Sequence, residues 1–136
     1  MPDNYALDRI ALQDLMLDYA AAVDTRDRER YRNCFTEDVQ VHNFGEQVYS
    51  GRDAWVDYVW TALAQYSATQ HLLGPQLATI EGTKAYTRSD VQALHFLADG
   101  GGRFTLWGSY LTDMRQEDGA WKICRHELAV CGTASD

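Results

Sequence analysis

Proline is scarce, two in 136 residues, and three cysteines are too few for a disulfide framework. No apolar run reaches the roughly 18 residues of a membrane helix, which argues against a membrane partner. Basic residues are outnumbered, 12 Lys and Arg against 20 Asp and Glu, for a formal net charge of -8. So acidic a surface repels phosphate backbones and argues against nucleic acid. The opening MPDNYALDRI lacks the basic-then-apolar pattern of a secretory signal. Cys124 and Cys131 fall in one strand-like segment, where ~3.3 Å per residue places them too far apart to bridge. With Cys34 they predict reduced thiols and a cytoplasmic protein. His-Glu-x-x-His and paired-Cys motifs are missing, so the four histidines point to no metal. Gly100-Gly-Gly102 lacks the Lys-Ser/Thr of a phosphate loop, and no nucleophile elbow is present.

What the chain does have is apolar mass: 46% hydrophobic and 12% aromatic residues, enough for a core. The length fits one domain over 1–136. Residues 5–24 predict a helix, with Leu12, Leu15, Met16, Tyr19 and Val23 as one stripe at 3–4 spacing. Asp27 is placed to cap a second, short helix over 28–34. Residues 38–49 read as two short strands about a turn at Gly45-Glu46. Ser50 with Asp53 reads as a capping-box variant opening a third helix over 51–66.

Beyond Ser67 the period becomes two. Thr69–Ile80 is strand-like with a bulge or edge at Gly74-Pro75. Ala85–Leu97, Arg103–Arg115 and Ala120–Cys131 read as long strands joined by turns at Asp99–Gly102 and Glu117–Gly119, and the last five residues as a frayed tail. Helices first and strands after indicate α+β, with helices on one face of a curved sheet enclosing an apolar pocket.

Several phrases carry a resemblance across nearly the whole chain: Ile10-Ala-Leu-Gln-Asp-Leu15, Tyr19 through Asp24-Thr-Arg-Asp27, Phe35-Thr-Glu-Asp38, Tyr49-Ser-Gly-Arg-Asp53, His71, and Asp118-Gly-Ala-Trp-Lys-Ile123 with Arg125. In this order they resemble the SnoaL-like branch of the NTF2-like (cystatin-like α+β barrel) superfamily, nearest to scytalone dehydratase, bile-acid 7α-dehydratase and hexachlorocyclohexane dehydrochlorinase. The resemblance implies a cone-shaped barrel, three N-terminal helices packed on a strongly curved, mostly antiparallel sheet. It also implies a homodimer or homotrimer, no cofactor, and a small apolar organic substrate. Function does not follow from this fold, which hosts dehydratases, isomerases and non-catalytic subunits.

The resemblance places a catalytic Asp–His pair at Asp24 and His71, with Tyr19 and His95 beside it. An Asp–His pair suits proton abstraction: the carboxylate fixes the ring tautomer and stabilises the imidazolium. The residues alone say less. On ideal geometry Asp24 lies ~100–120° from the apolar stripe, where a solvated acid at a helix end belongs, and ~140° from Tyr19. His95 shares a strand face with Val91, Ala93 and Leu97, as a core histidine or as an acid or orienting group. His126, Asn43, Trp55 and Tyr110 are candidates for substrate binding, although the aromatic ones are equally core residues. Arg125 and His126 are adjacent on a strand, so at most one of them enters the pocket, and Arg125 reads as the structural one, paired to an acid.

The expected activity is a dehydratase-type lyase in which His71 removes a carbon-bound proton, Asp24 orients it, and Tyr19 and His95 bind or protonate the departing oxygen. The alternatives are an isomerase using the same pair, a non-catalytic small-ligand binder, and an assembly subunit like the β subunit of ring-hydroxylating dioxygenases.

Overall fold

The computed structural model describes residues 2–136. Helix α1 covers Pro2–Asp24, α2 Arg28–Arg32, β1 Phe35–His42, β2 Tyr49–Ser50 and α3 Arg52–Leu63. Strands β3 (Tyr66–Leu73), β4 (Leu77–Glu81), β5 (Lys84–Leu97), β6 (Arg103–Glu117) and β7 (Ala120–Ser135) follow. The sheet runs β2-β1-β7-β6-β5-β3, with β4 also on β5. All pairings are antiparallel except β1 with β7. The expected barrel is therefore not closed: β2 bounds one side, and β3 and β4 the other.

The α1 stripe is buried as its spacing predicts, from Leu12 through Val23. It joins Tyr31, Phe35, Val39, Val41, Trp55, Met114 and Ile123 in one core between helices and sheet. The end of α1 is set by a backbone motif. Arg26 adopts a left-handed conformation, φ 59°, while its N–H reaches Val23 O and the Asp27 N–H reaches Ala22 O. That pair of bonds closes the last helical turn, with Arg where glycine is usual. Asp27 then caps α2, accepting from the Arg30 N–H.

Several expected boundaries move. The third helix starts at Arg52 and stops at Leu63, and Tyr66 opens β3 instead of ending α3. No capping box forms. Gly51 is the cap residue, at φ 98°, while the Ser50 hydroxyl donates to Gln40. Gly74-Pro75 divides the expected single strand, because proline offers no N–H to the ladder. The two pieces lie end to end along β5, Leu73 opposite Val91 and Leu77 opposite Arg88.

The tail is not frayed. Strand β7 runs to Ser135, paired with Phe104, and Asp136 exchanges two backbone hydrogen bonds and an ion pair with Arg103. Gly102 makes room for it: a Cβ there would sit 1.8 Å from the Asp136 carbonyl oxygen.

Candidate active site

The end of α1 and the inward face of β3 meet at Asp24. Its Oδ1 accepts from the Thr69 hydroxyl at 3.0 Å and its Oδ2 from the His71 backbone N–H at 2.8 Å. The His71 ring Nδ1 lies 2.8 Å from Oδ1. Thr69 and His71 are two apart on one strand, so both side chains point to one face. The Arg26 guanidinium folds back to Val23 O at 2.6 Å and the Thr69 hydroxyl at 2.9 Å, behind the pair. Burial works against the Asp24 charge, yet the His71 ring, the His71 amide and the Thr69 hydroxyl outweigh it and hold the carboxyl below its ordinary value. An ionised carboxylate only accepts, so Nδ1 carries the hydrogen, which leaves Nε2 as the ring nitrogen that can take up or give a proton.

His71 lines a cavity of about 170 Å³. Tyr19, Tyr31 and Tyr110 form its floor, packed through ring centroids 5.1 and 5.3 Å from Tyr19. Trp55, Tyr58, Val59, Leu63, Tyr66 and His95 complete most of the wall. Burial pushes the three floor phenols well up, so they stay protonated. The Tyr31 oxygen accepts from the Trp55 indole at 3.1 Å. The cavity thus has a base on one side and phenol donors on another. A wider groove of about 600 Å³ lies by α1, α2 and the β6–β7 turn. Asp14, Asp18, Asp27, Arg30 and Lys122 line it, and it holds no histidine.

His95 faces inward as expected, its ring 5.9 Å from that of His71. Its Nδ1–H donates to the Phe104 carbonyl at 3.0 Å, because a carbonyl can only accept. Burial lowers its pKa and keeps it neutral. His95 therefore presents an acceptor nitrogen to the cavity and is poorly suited to the acid role expected of it.

Two expected binding residues lie off this cavity. Asn43 is exposed, at φ 66° in the turn after β1, and donates to Glu127 at 3.2 Å. The left-handed turn carries its amide away from the core. His126 is fully buried behind the floor, Nε2 at 2.9 Å from the Tyr19 hydroxyl and Nδ1 at 2.9 Å from Thr112. Burial lowers it to about 3. Arg125 pairs with Glu127 at 2.9 Å, as expected. Tyr19 and Asp24 share no hydrogen bond among the described residues; Tyr19 lines the same cavity as His71, which holds the carboxylate.

Sequence reasoning missed Tyr31, Tyr58 and Tyr66 as wall residues, along with the Arg26–Thr69 support. Tyr31 was legible only as an apolar member of a short helix. Tyr66 was legible only as an apolar member of the third helix, and nothing local marks Tyr58 or the Arg26–Thr69 support.

A family model for SnoaL-like domains matches residues 4–127. The chain belongs to the SnoaL-like domain family. Comparison with curated protein sequences finds no match. Among solved structures, a candidate scytalone dehydratase from Novosphingobium aromaticivorans DSM 12444 is similar at 26% identity and TM-score 0.94, over 100% of this chain and 92% of that one. A candidate aromatic ring hydroxylase from Novosphingobium aromaticivorans is 29% identical, TM-score 0.89, over 96% and 94%. A type 2 hexachlorocyclohexane dehydrochlorinase shares the fold at 22% identity and TM-score 0.91, over 100% and 93%. SnoaL-like membership and the likeness to a candidate scytalone dehydratase support a small-molecule enzyme of lyase or isomerase type.

Proposed function

We propose that the chain is a cofactor-independent lyase of the dehydratase type, acting on a small, largely apolar compound with a hydroxyl group β to a carbonyl. The observation that carries this reading is the Asp24–His71 hydrogen bond at the wall of an aromatic cavity. The lone pair on His71 Nε2 takes a proton from the carbon next to the carbonyl. The C–H electrons move into an enolate, whose oxygen accepts hydrogen bonds from the phenol floor, Tyr19 foremost. Asp24 stabilises the imidazolium. When the carbonyl re-forms, the C–O bond breaks. The departing hydroxide takes the proton from His71 and leaves as water, so the ring ends neutral. Trp55 and Tyr110 contribute wall to substrate binding.

The similarity to a candidate scytalone dehydratase supports the same direction. One observation favours isomerisation as a second reading. Burial keeps His95 neutral, so the imidazolium at His71 is the nearest acid and can return its proton to another carbon of the enolate.

The test is turnover of a panel of cyclic and aromatic β-hydroxy ketones, followed by mass and retention time, for wild type and His71→Ala. Loss of one water that depends on His71 supports a dehydratase. An isomer of unchanged mass supports the second reading. A panel untouched by wild type rejects both for these compounds and leaves a binder or assembly subunit.

A further inference from the structure

His126 belongs to no step above, yet it is the one histidine enclosed on every side. Thr112 on β6 lies 2.9 Å from Nδ1 and Tyr19 on α1 2.9 Å from Nε2. Phe44 stacks on the ring at 5.2 Å between centroids, and Tyr110 lies at 4.8 Å. With no exposure to water the ring is neutral and carries a single hydrogen.

That hydrogen has two possible homes, and they are not equivalent. On Nδ1 it would donate to the Thr112 oxygen. The Thr112 hydroxyl hydrogen would then be buried without an acceptor, since among the described residues this hydroxyl bonds only His126. Tyr19 would have to spend its own hydrogen on Nε2. On Nε2 the accounting closes. The Thr112 hydroxyl donates to Nδ1, Nε2–H donates to the Tyr19 oxygen, and the Tyr19 hydrogen is left for the cavity floor, where the neighbouring Tyr31 hydroxyl accepts it while the cavity is empty. Buried polar hydrogens are seldom left orphaned, so the second arrangement is favoured.

We infer that His126 is a positioning residue: Thr112 fixes its Nε2–H tautomer, and that tautomer turns the Tyr19 hydroxyl hydrogen toward the cavity floor, where a ligand oxygen takes the place of the Tyr31 hydroxyl as its acceptor. The inference rests on the reading of Tyr19 given under the proposed function and adds a specificity rule to it. The ligand presents an acceptor there, a carbonyl or enolate oxygen, and a group that can only donate is rejected.

The experiment uses the full chain labelled with ¹⁵N-histidine. Near neutral pH the expected spectrum shows one buried ring, protonated on Nε2 and bare on Nδ1, that is lost in His126→Gln. A ring protonated on Nδ1, or on both nitrogens, overturns the inference. Acetophenone, whose only polar atom is an acceptor, is the probe of the donor. Its carbonyl stretch is expected to fall on binding to wild type, and most of that fall to vanish in Tyr19→Phe. An unchanged stretch, the same fall in Tyr19→Phe, or no perturbation of the His71 and His95 signals at saturating acetophenone overturns the donor role. None of these readouts needs turnover. An Nε2–H ring in a protein that dehydrates nothing rejects the reaction and keeps the pairing, whereas turnover with an Nδ1–H ring does the reverse.

Discussion

Asp24 binds His71 twice, once through the ring Nδ1–H and once through the backbone N–H, each at 2.8 Å. The second bond fixes the first. With Oδ2 tied to the strand, the carboxylate cannot rotate away from the imidazole. The geometry of the pair is thus set by the packing of a helix end against a strand, and several expected outcomes follow from it.

His71→Ala is expected to lower turnover by about 10²–10⁴-fold, the usual contribution of a positioned base. The ring lies at a cavity wall, and Asp24 keeps the Thr69 hydroxyl and the residue-71 amide as donors. The melting temperature should therefore move by less than about 5 °C. A much larger drop in thermal unfolding would mark His71 as a packing residue.

Thr69→Val removes the hydroxyl that links Arg26 to Asp24. The carboxylate loses one of its three donors and the guanidinium one acceptor. We expect kcat to fall about tenfold, equivalent to ~1.4 kcal/mol, with KM little changed, because the hydroxyl orients the base and does not line the cavity. Steady-state kinetics that show only a raised KM would contradict this.

Acid should destabilise the fold through His126. Its folded pKa is lowered to about 3, against 6.5 for a free ring. The unfolded chain thus binds a proton between these values that the folded chain refuses. The contribution of the neutral ring is full above about pH 6.5 and is lost as pH falls toward 3, by about 1.4 kcal/mol for each pH unit. Urea midpoints measured from pH 7.5 to 5 should decline more steeply for wild type than for His126→Gln; parallel curves would refute the assignment.

Removal of residues 132–136 should be costly. It strips the β6 partners of Trp107, Leu106, Thr105 and Phe104, the last of which holds His95 through its carbonyl. A loss of about 2–3 kcal/mol is expected from the broken backbone bonds. A truncated chain that melts with wild type would show the tail to be dispensable.

Self-association is expected at the sheet's outer face. Leu72 and Trp107 lie in one row across Gln92, and with Phe96 they leave large apolar side chains exposed. Sedimentation should give a dimer or trimer at micromolar concentration and a monomer for Trp107→Glu. A wild-type monomer would reject the expectation.

Much of the fold was legible. The α1 stripe, the Asp27 cap, the Glu117–Gly119 turn and the inward placing of His95 all follow from period and turn chemistry acting within a few residues. The dyad was legible only through resemblance, since helical geometry by itself left Asp24 a solvated acid. Local patterns misjudged the tail and Ser50. The partners that decide them, Arg103 for the tail and Gln40 for Ser50, lie outside any local window.

By itself the sequence determined the order of helices and strands and which faces are apolar, because periodicity and capping operate between neighbours. Only the tertiary structure decided that the Asp24 carboxylate meets a ring 47 residues away, that His126 is sealed behind Tyr19, and that Asn43 turns outward. Sheet register and helix docking fix these distances, and both arise from packing between segments remote in the chain.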